Sequence, residues 1–160
     1  MPDVPPIPVI ELIAQNVEDT LRGIVQVAGY SCDLTVERAN PGVGNRDRNN
    51  LAVIVQGNPT REQDAPMQHD SWRVPFSIVC TAVESETSQT PIDARLNRLW
   101  ADVIYALCGT ESSRRRGGYA IDTIIDDPDF GVTATNAHEG EVTVNVTVWY
   151  RHLQGRPHEQ

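Results

Sequence analysis

From Glu141 to Arg151 apolar and polar side chains alternate, with Val142, Val144, Val146, Val148 and Tyr150 on one parity and Glu141, Thr143, Asn145, Thr147 and Arg151 on the other. Successive side chains of a strand point to opposite faces, so this segment commits the chain to a sheet with one apolar and one polar face. Four valines on one face cannot be left in water, and another layer must cover them. Ser71 to Val83 repeats the pattern with Trp72, Val74, Phe76, Ile78, Cys80 and Ala82, while Leu51 to Gln56 is apolar on both parities, as a central strand is. Leu34 and Val36, the region Tyr119 to Ile125, and Gly131 to Asn136 complete the expected strands, with His138, Glu139 and Gly140 turning a hairpin into the last one. Pro75 has no N–H to give to a ladder, which predicts that the Trp72 to Val83 strand lies at the sheet edge.

Two amphipathic segments supply the cover. Residues 8 to 27 carry Ile10, Ile13, Ala14, Val17, Leu21 and Ile24 three or four apart, the stripe of a helix entered through Pro8 and left at Gly29. A second stripe of Ile92, Leu96, Leu99, Trp100, Val103 and Leu107 ends at Gly109, and Thr90, Pro91 and Asp93 before it resemble a capping box. The strand runs lie too close in sequence for parallel crossovers. The expected fold class is therefore α+β: a mainly antiparallel β-sheet with two amphipathic helices packed on one face. Residues 1–160 form one domain on this reading, with flexible ends at about 1–7 and 153–160. Long loops at Asn40 to Asn50, Asn58 to Asp70 and Thr110 to Gly118 interrupt it, and loops of that length are usually functional or disordered rather than filler.

Charge bounds the partners. Thirteen basic residues, all arginine, face twenty-two acidic ones for a net charge of −9, which opposes a grip on nucleic acid, since such grips work by neutralising phosphates. No run approaches the ~18 apolar residues of a membrane span, and the first residues lack the basic start of a signal peptide, so the expected site of synthesis and work is the cytosol. Cys32, Cys80 and Cys108 are far apart, without metal or redox spacing, and read as small buried hydrophobes.

Nucleophile elbows, phosphate loops, zinc-helix pairs and dinucleotide fingerprints are absent from the sequence. His69, His138, His152 and His158 fall in expected loops or near the C-terminal end, and read as solvated side chains. Asp126, Asp127, Asp129 and Gly131 faintly resemble a calcium loop, yet the terminal bidentate glutamate is missing and a turn is the simpler reading. Neither catalytic, cofactor-binding nor metal-ligating residues are expected. The candidates are for an interface: Arg46 and Arg48 in the first long loop, Trp72, the run Arg114, Arg115 and Arg116, and Trp149, which shares the polar parity of the last strand. An enzyme or ligand-binding protein with Arg38, Asp122 or Arg151 in a pocket between sheet and loops is the reading from a different class.

The N-terminal helix running into Gly29-Tyr30 and Leu34-Thr35-Val36-Glu37-Arg38, the Trp72 to Val83 strand, Ile92-Asp93-Ala94-Arg95-Leu96 opening the second helix, and the valine-rich close at Tyr150-Arg151 together resemble the tail-terminator (tail completion) proteins of long-tailed bacteriophages. The resemblance spans nearly the whole chain. It implies a structural, non-enzymatic virion protein at the junction of tail and neck, assembled in the host cytoplasm. It also implies a ring, usually of six copies, seated on the last ring of the tail-tube protein and offering the head connector or stopper a docking surface. Genome DNA would pass through the lumen without specific binding, and an acidic subunit suits that passage. A head-to-tail stopper or a tail-tube subunit is the alternative within the same setting.

Overall fold

The computed structural model describes residues 6–38, 48–62, 68–132 and 138–160. Along the described chain run α1 (Val9–Arg22), β1 (Thr35–Arg38), β2 (Leu51–Gln56), β3 (Thr60–Arg61), β4 (His69–Val83), α2 (Ile92–Cys108), α3 (Glu111–Arg114), β5 (Asp122–Ile125), β6 (Asp129–Val132) and β7 (Glu139–Leu153). The sheet order is β1-β2-β4-β7-β5, with β3 adding to β4 and β6 to β7. This is the α+β fold that the alternating strands require.

β4 and β7 pair antiparallel over their whole length, from His69 opposite Leu153 to Val83 opposite Glu139. The register puts Val74, Phe76, Ile78 and Cys80 beside Val148, Val146, Val144 and Val142, all of them buried. α1 and α2 cover this face with Ile13, Val17 and Leu21 and with Leu96, Leu99, Val103 and Leu107, in one continuous core. Each such side chain taken fully out of water contributes about 1.5–3 kcal/mol before the entropy of ordering it is subtracted. Gly140 lets α2 approach β7 closely, because a Cβ there would sit 2.7 Å from Leu96 Cδ1 and 3.0 Å from Ile92 Cγ1.

Several expectations are corrected. β1 lies parallel to β2, Thr35 opposite Leu51, while the other strand pairs are antiparallel. β4 is central rather than at the edge, and Pro75 is accommodated by a gap in its neighbours. β2 ends at Gln56, β3 begins at Thr60, and Pro75 faces the space between them. Its carbonyl accepts the Gly57 N–H at 2.8 Å, so its nitrogen points to the same interrupted side and β7 loses no bond.

α1 stops at Arg22; Ile24 is still buried, but Gln26–Ala28 form a separate 3-10 turn closed by Gly29 at φ 93°. Thr90 makes no capping bond, and Pro91 is the N-cap of α2. The capping box occurs instead at α3, where Thr110 Oγ1 accepts from Ser113 N and Ser113 Oγ from Thr110 N. The expected loop at Thr110 to Gly118 is therefore largely helical. Of the expected hairpin turn, only His138 is in a turn, while Glu139 and Gly140 belong to β7; of the strand expected at Gly131 to Asn136, Gly131 and Val132 end β6, and residues 133–136 lie outside the described residues. Residues 154–158 make a turn against β7, and the Pro157 carbonyl accepts the Val9 N–H at 2.9 Å, satisfying one of the orphan donors at the start of α1.

Candidate interaction site at one end of the sheet

The face of the sheet away from the helices carries the odd-numbered residues of β4 and β7. Cross-strand register places Arg73 directly opposite Trp149, and Asp122 of β5 on its other side. Arg151 lies two residues further along β7, on the same face. Both guanidinium groups lie over the indole, with Arg73 Cζ 5.9 Å and Arg151 Cζ 5.6 Å from the ring centroid. Such contacts between a cation and an aromatic face contribute about 0.5–1 kcal/mol each at exposed sites. Trp149 is thus half-buried under two arginines, and its Nε1–H is buried without a hydrogen-bond partner among the described residues.

α3 and the 3-10 turn Arg116–Gly118 bring further arginines to this end. Arg114 Nε reaches to 3.9 Å from Asp122, and Arg115 pairs with Glu111 at 3.0 Å across one helical turn. Arg73 pairs with Glu62. Three expected interface residues, Arg114, Arg115 and Trp149, therefore meet here, together with Arg73 and Arg151. Nothing in the sequence marks Arg73, because its partnership with Trp149 exists only in the pairing register, and Arg151 reads there only as a pocket group.

The remaining candidates lie elsewhere. Trp72 projects from the helix-covered face, stacked on His152 with ring centroids 6.3 Å apart and planes inclined by 20°. Arg48 is at the opposite end of the sheet, 3.1 Å from Glu139 and 3.9 Å from Glu141. Arg46 lies outside the described residues. Arg116 corrects the expectation of a solvated run, because it is fully buried. Its Nη2 donates to the Leu107 carbonyl in the last turn of α2, and Nε and Nη1 have no partner among the described residues. Burial lowers its proton affinity to about 10, which still leaves it charged at neutral pH.

Arg38 is committed to Glu11 at 2.6 Å, and that bond holds the Glu11 carboxyl below its ordinary range. Burial pushes the Cys80 thiol up to about 12 and raises Cys32 and Cys108 as well, which disfavours thiolate chemistry. Asp126, Asp127 and Asp129 are exposed between and at the ends of β5 and β6, with Asp126 accepting from Thr147 Oγ1 at 2.8 Å. Among the described residues there is no group of three or more His, Cys, Asp or Glu placed to hold a metal ion, and no helix is long and apolar enough to cross a membrane.

This end of the molecule sets arginines on an aromatic platform, on a chain whose net charge is −9. No family model matches this chain, and no curated protein matches it.

Proposed function

We propose that the chain is a structural subunit that caps the end of a bacteriophage tail tube, stopping its polymerisation and presenting a docking surface to the head connector. The observation that carries this reading is the chemical difference between the two ends of one sheet. One end gathers Trp149, Arg73, Arg151, Arg114 and Arg115 around an indole; at the other, among the described residues, Arg48 is set between Glu139 and Glu141 and Arg95 against Glu84, with no aromatic platform. A subunit that stacks head to tail recreates at each step the surface that accepts the next copy, and the polymer stays open. A cap must break that recurrence with two surfaces of unlike specificity, which asks for an asymmetric scaffold rather than a catalytic centre.

The resemblance to tail-terminator proteins supports the same reading, with the working form a ring, expected to be a hexamer, and the site of action the neck of the virion. A net charge of −9 suits a ring through which DNA slides, because an acidic lining releases no counterions to bind it. The reading is tested by assembling tails without the protein. Overlong tubes that fail to join heads are expected, with normal length restored on adding it back and label confined to tube ends. Normal-length tails in its absence would reject the cap in favour of a stopper, and label along the shaft would make it a tube subunit.

A further inference from the structure

Around Arg151 the arginines are paired off with carboxylates: Arg73 with Glu62, Arg114 with Asp122, Arg115 with Glu111. Arg151 is not. Its Nε donates to Ser71 Oγ at 3.1 Å and its guanidinium lies over Trp149, and no carboxylate among the described residues comes within ion-pairing distance. The side chain is half-buried, and its orientation is set by the strand, the indole and the serine. It also lines a cavity of about 210 Å³ with His69, Gly118, Tyr119, Ala120, Ile121 and Gln160. The backbone N–H groups of Gly118, Tyr119, Ala120 and Ile121 are already used inside the fold, so recognition there falls to side chains.

We propose that this cavity receives the carboxylate of a glutamate side chain from an adjoining protein surface. Arg151 supplies a fixed, uncompensated cation whose two terminal nitrogens are free of any bond within the described structure. A planar guanidinium fork matches a carboxylate with two parallel hydrogen bonds, and one already oriented by stacking loses little freedom on binding. Tyr119, Ala120 and Ile121 border the cavity, and the exposed ring of Tyr119 offers an apolar wall against which the methylenes of a glutamate pack. An aspartate would reach the cation without using that wall, and a free inorganic anion would use only the cation. The pocket adjoins the aromatic-arginine platform, so a partner lying on that platform places an acidic side chain beside it. The proposal rests on this geometry and holds or fails independently of the cap reading.

The test is a titration of the isolated protein, followed through the indole N–H resonance of Trp149 and the Nε–H resonance of Arg151. The probes are N-acetyl-glutamate N-methylamide, inorganic phosphate, and sodium chloride at matched ionic strength. Saturable shifts with the glutamate mimic, weaker ones with phosphate, and a loss of affinity of tenfold or more in Arg151→Gln are expected. Arg151→Lys keeps the charge without the fork; a threefold or greater weakening is expected there, and this variant decides the matter if the glutamine form does not fold. Equal shifts with chloride, undiminished binding in Arg151→Gln or unchanged affinity in Arg151→Lys would overturn the site. Tighter binding of phosphate than of the mimic would overturn its assignment to a protein side chain.

Discussion

Replacing Arg116 with methionine should leave the protein as stable as wild type or make it up to about 2 kcal/mol more stable. The guanidinium is completely enclosed, and burial lowers its pKa from the ordinary guanidinium range to about 10. At about 1.4 kcal/mol per unit, holding that charge in the fold costs about 3 kcal/mol. The opposing contribution is the bond from Nη2 to the Leu107 carbonyl, together with the favourable field of a cation at the C-terminus of α2. A charge-assisted hydrogen bond is worth about 1.5–3 kcal/mol net, and the helix-end field adds up to about 1. Methionine follows a similar path through the core without branching and carries no charge. The left-handed backbone at this position, φ 50°, penalises both residues alike and drops out of the comparison. Urea unfolding followed by tryptophan fluorescence measures the difference, and a 2 kcal/mol gain would appear in a thermal scan as about 4–8 °C. Arg116→Ala, which also loses the packing of the stem, should fall below the methionine form. A methionine variant destabilised by more than about 2 kcal/mol would refute the reasoning, since it would mean that the charge is neutralised rather than stranded.

Arg95 holds Val83 O and Glu84 with one nitrogen and Asn49 and Asn50 with the other, and its hydrogen bond, followed by that of Ser88, lowers the Glu84 carboxyl below 4.5. A depressed carboxylate stabilises the fold above its unfolded pKa and ceases to do so as pH falls through the folded one, so wild type should be more stable than Arg95→Gln at pH 7, with the gap narrowing below about pH 4.5 in denaturant titrations; a constant gap would remove Glu84 from the account. Gly57→Ala should cost about 1–3 kcal/mol, because the new Cβ would stand 2.7 Å from Pro75 Cγ and the proline ring cannot turn aside; an unchanged urea midpoint at constant slope would show that the gap beside Pro75 is wider than it looks.

The parts of the fold visible in the sequence were those in which one face repeats over many residues. β4, β7, α1 and α2 each carry five or more apolar positions at one period, so local chemistry alone settled their type and which side they bury. Sequence was silent where the outcome depends on a neighbour. The parallel pairing of β1 with β2 is decided by the path between them, and nothing in Thr35–Arg38 signals direction. α3 is only four residues long, too short for a stripe, and its Thr110 and Ser113 were legible as a cap only once a helix was known to follow. Three consecutive arginines read alike, yet the left-handed turn at Arg116 sends one inward while Arg114 and Arg115 stay out. Of the interaction site, Trp149 was found by its parity. Its covering by Arg73 follows from the strand register and was beyond a one-dimensional pattern.

The fifteen-residue match between β4 and β7 also governs how the molecule comes into being. The paired residues are separated in the chain by fifty-six positions at one end and eighty-four at the other, with α2, α3, β5 and β6 strung between them. The ladder between β4 and β7 cannot form until that long loop closes, and closing it precedes the reward of their pairing. Folding should therefore be slow for a chain of this length, on the scale of milliseconds to seconds, and insensitive to the early appearance of α2. During that interval each strand keeps a fifteen-residue edge unpaired. Synthesis in high local concentration, as when many copies are made together, would favour strand exchange between chains over closure within one.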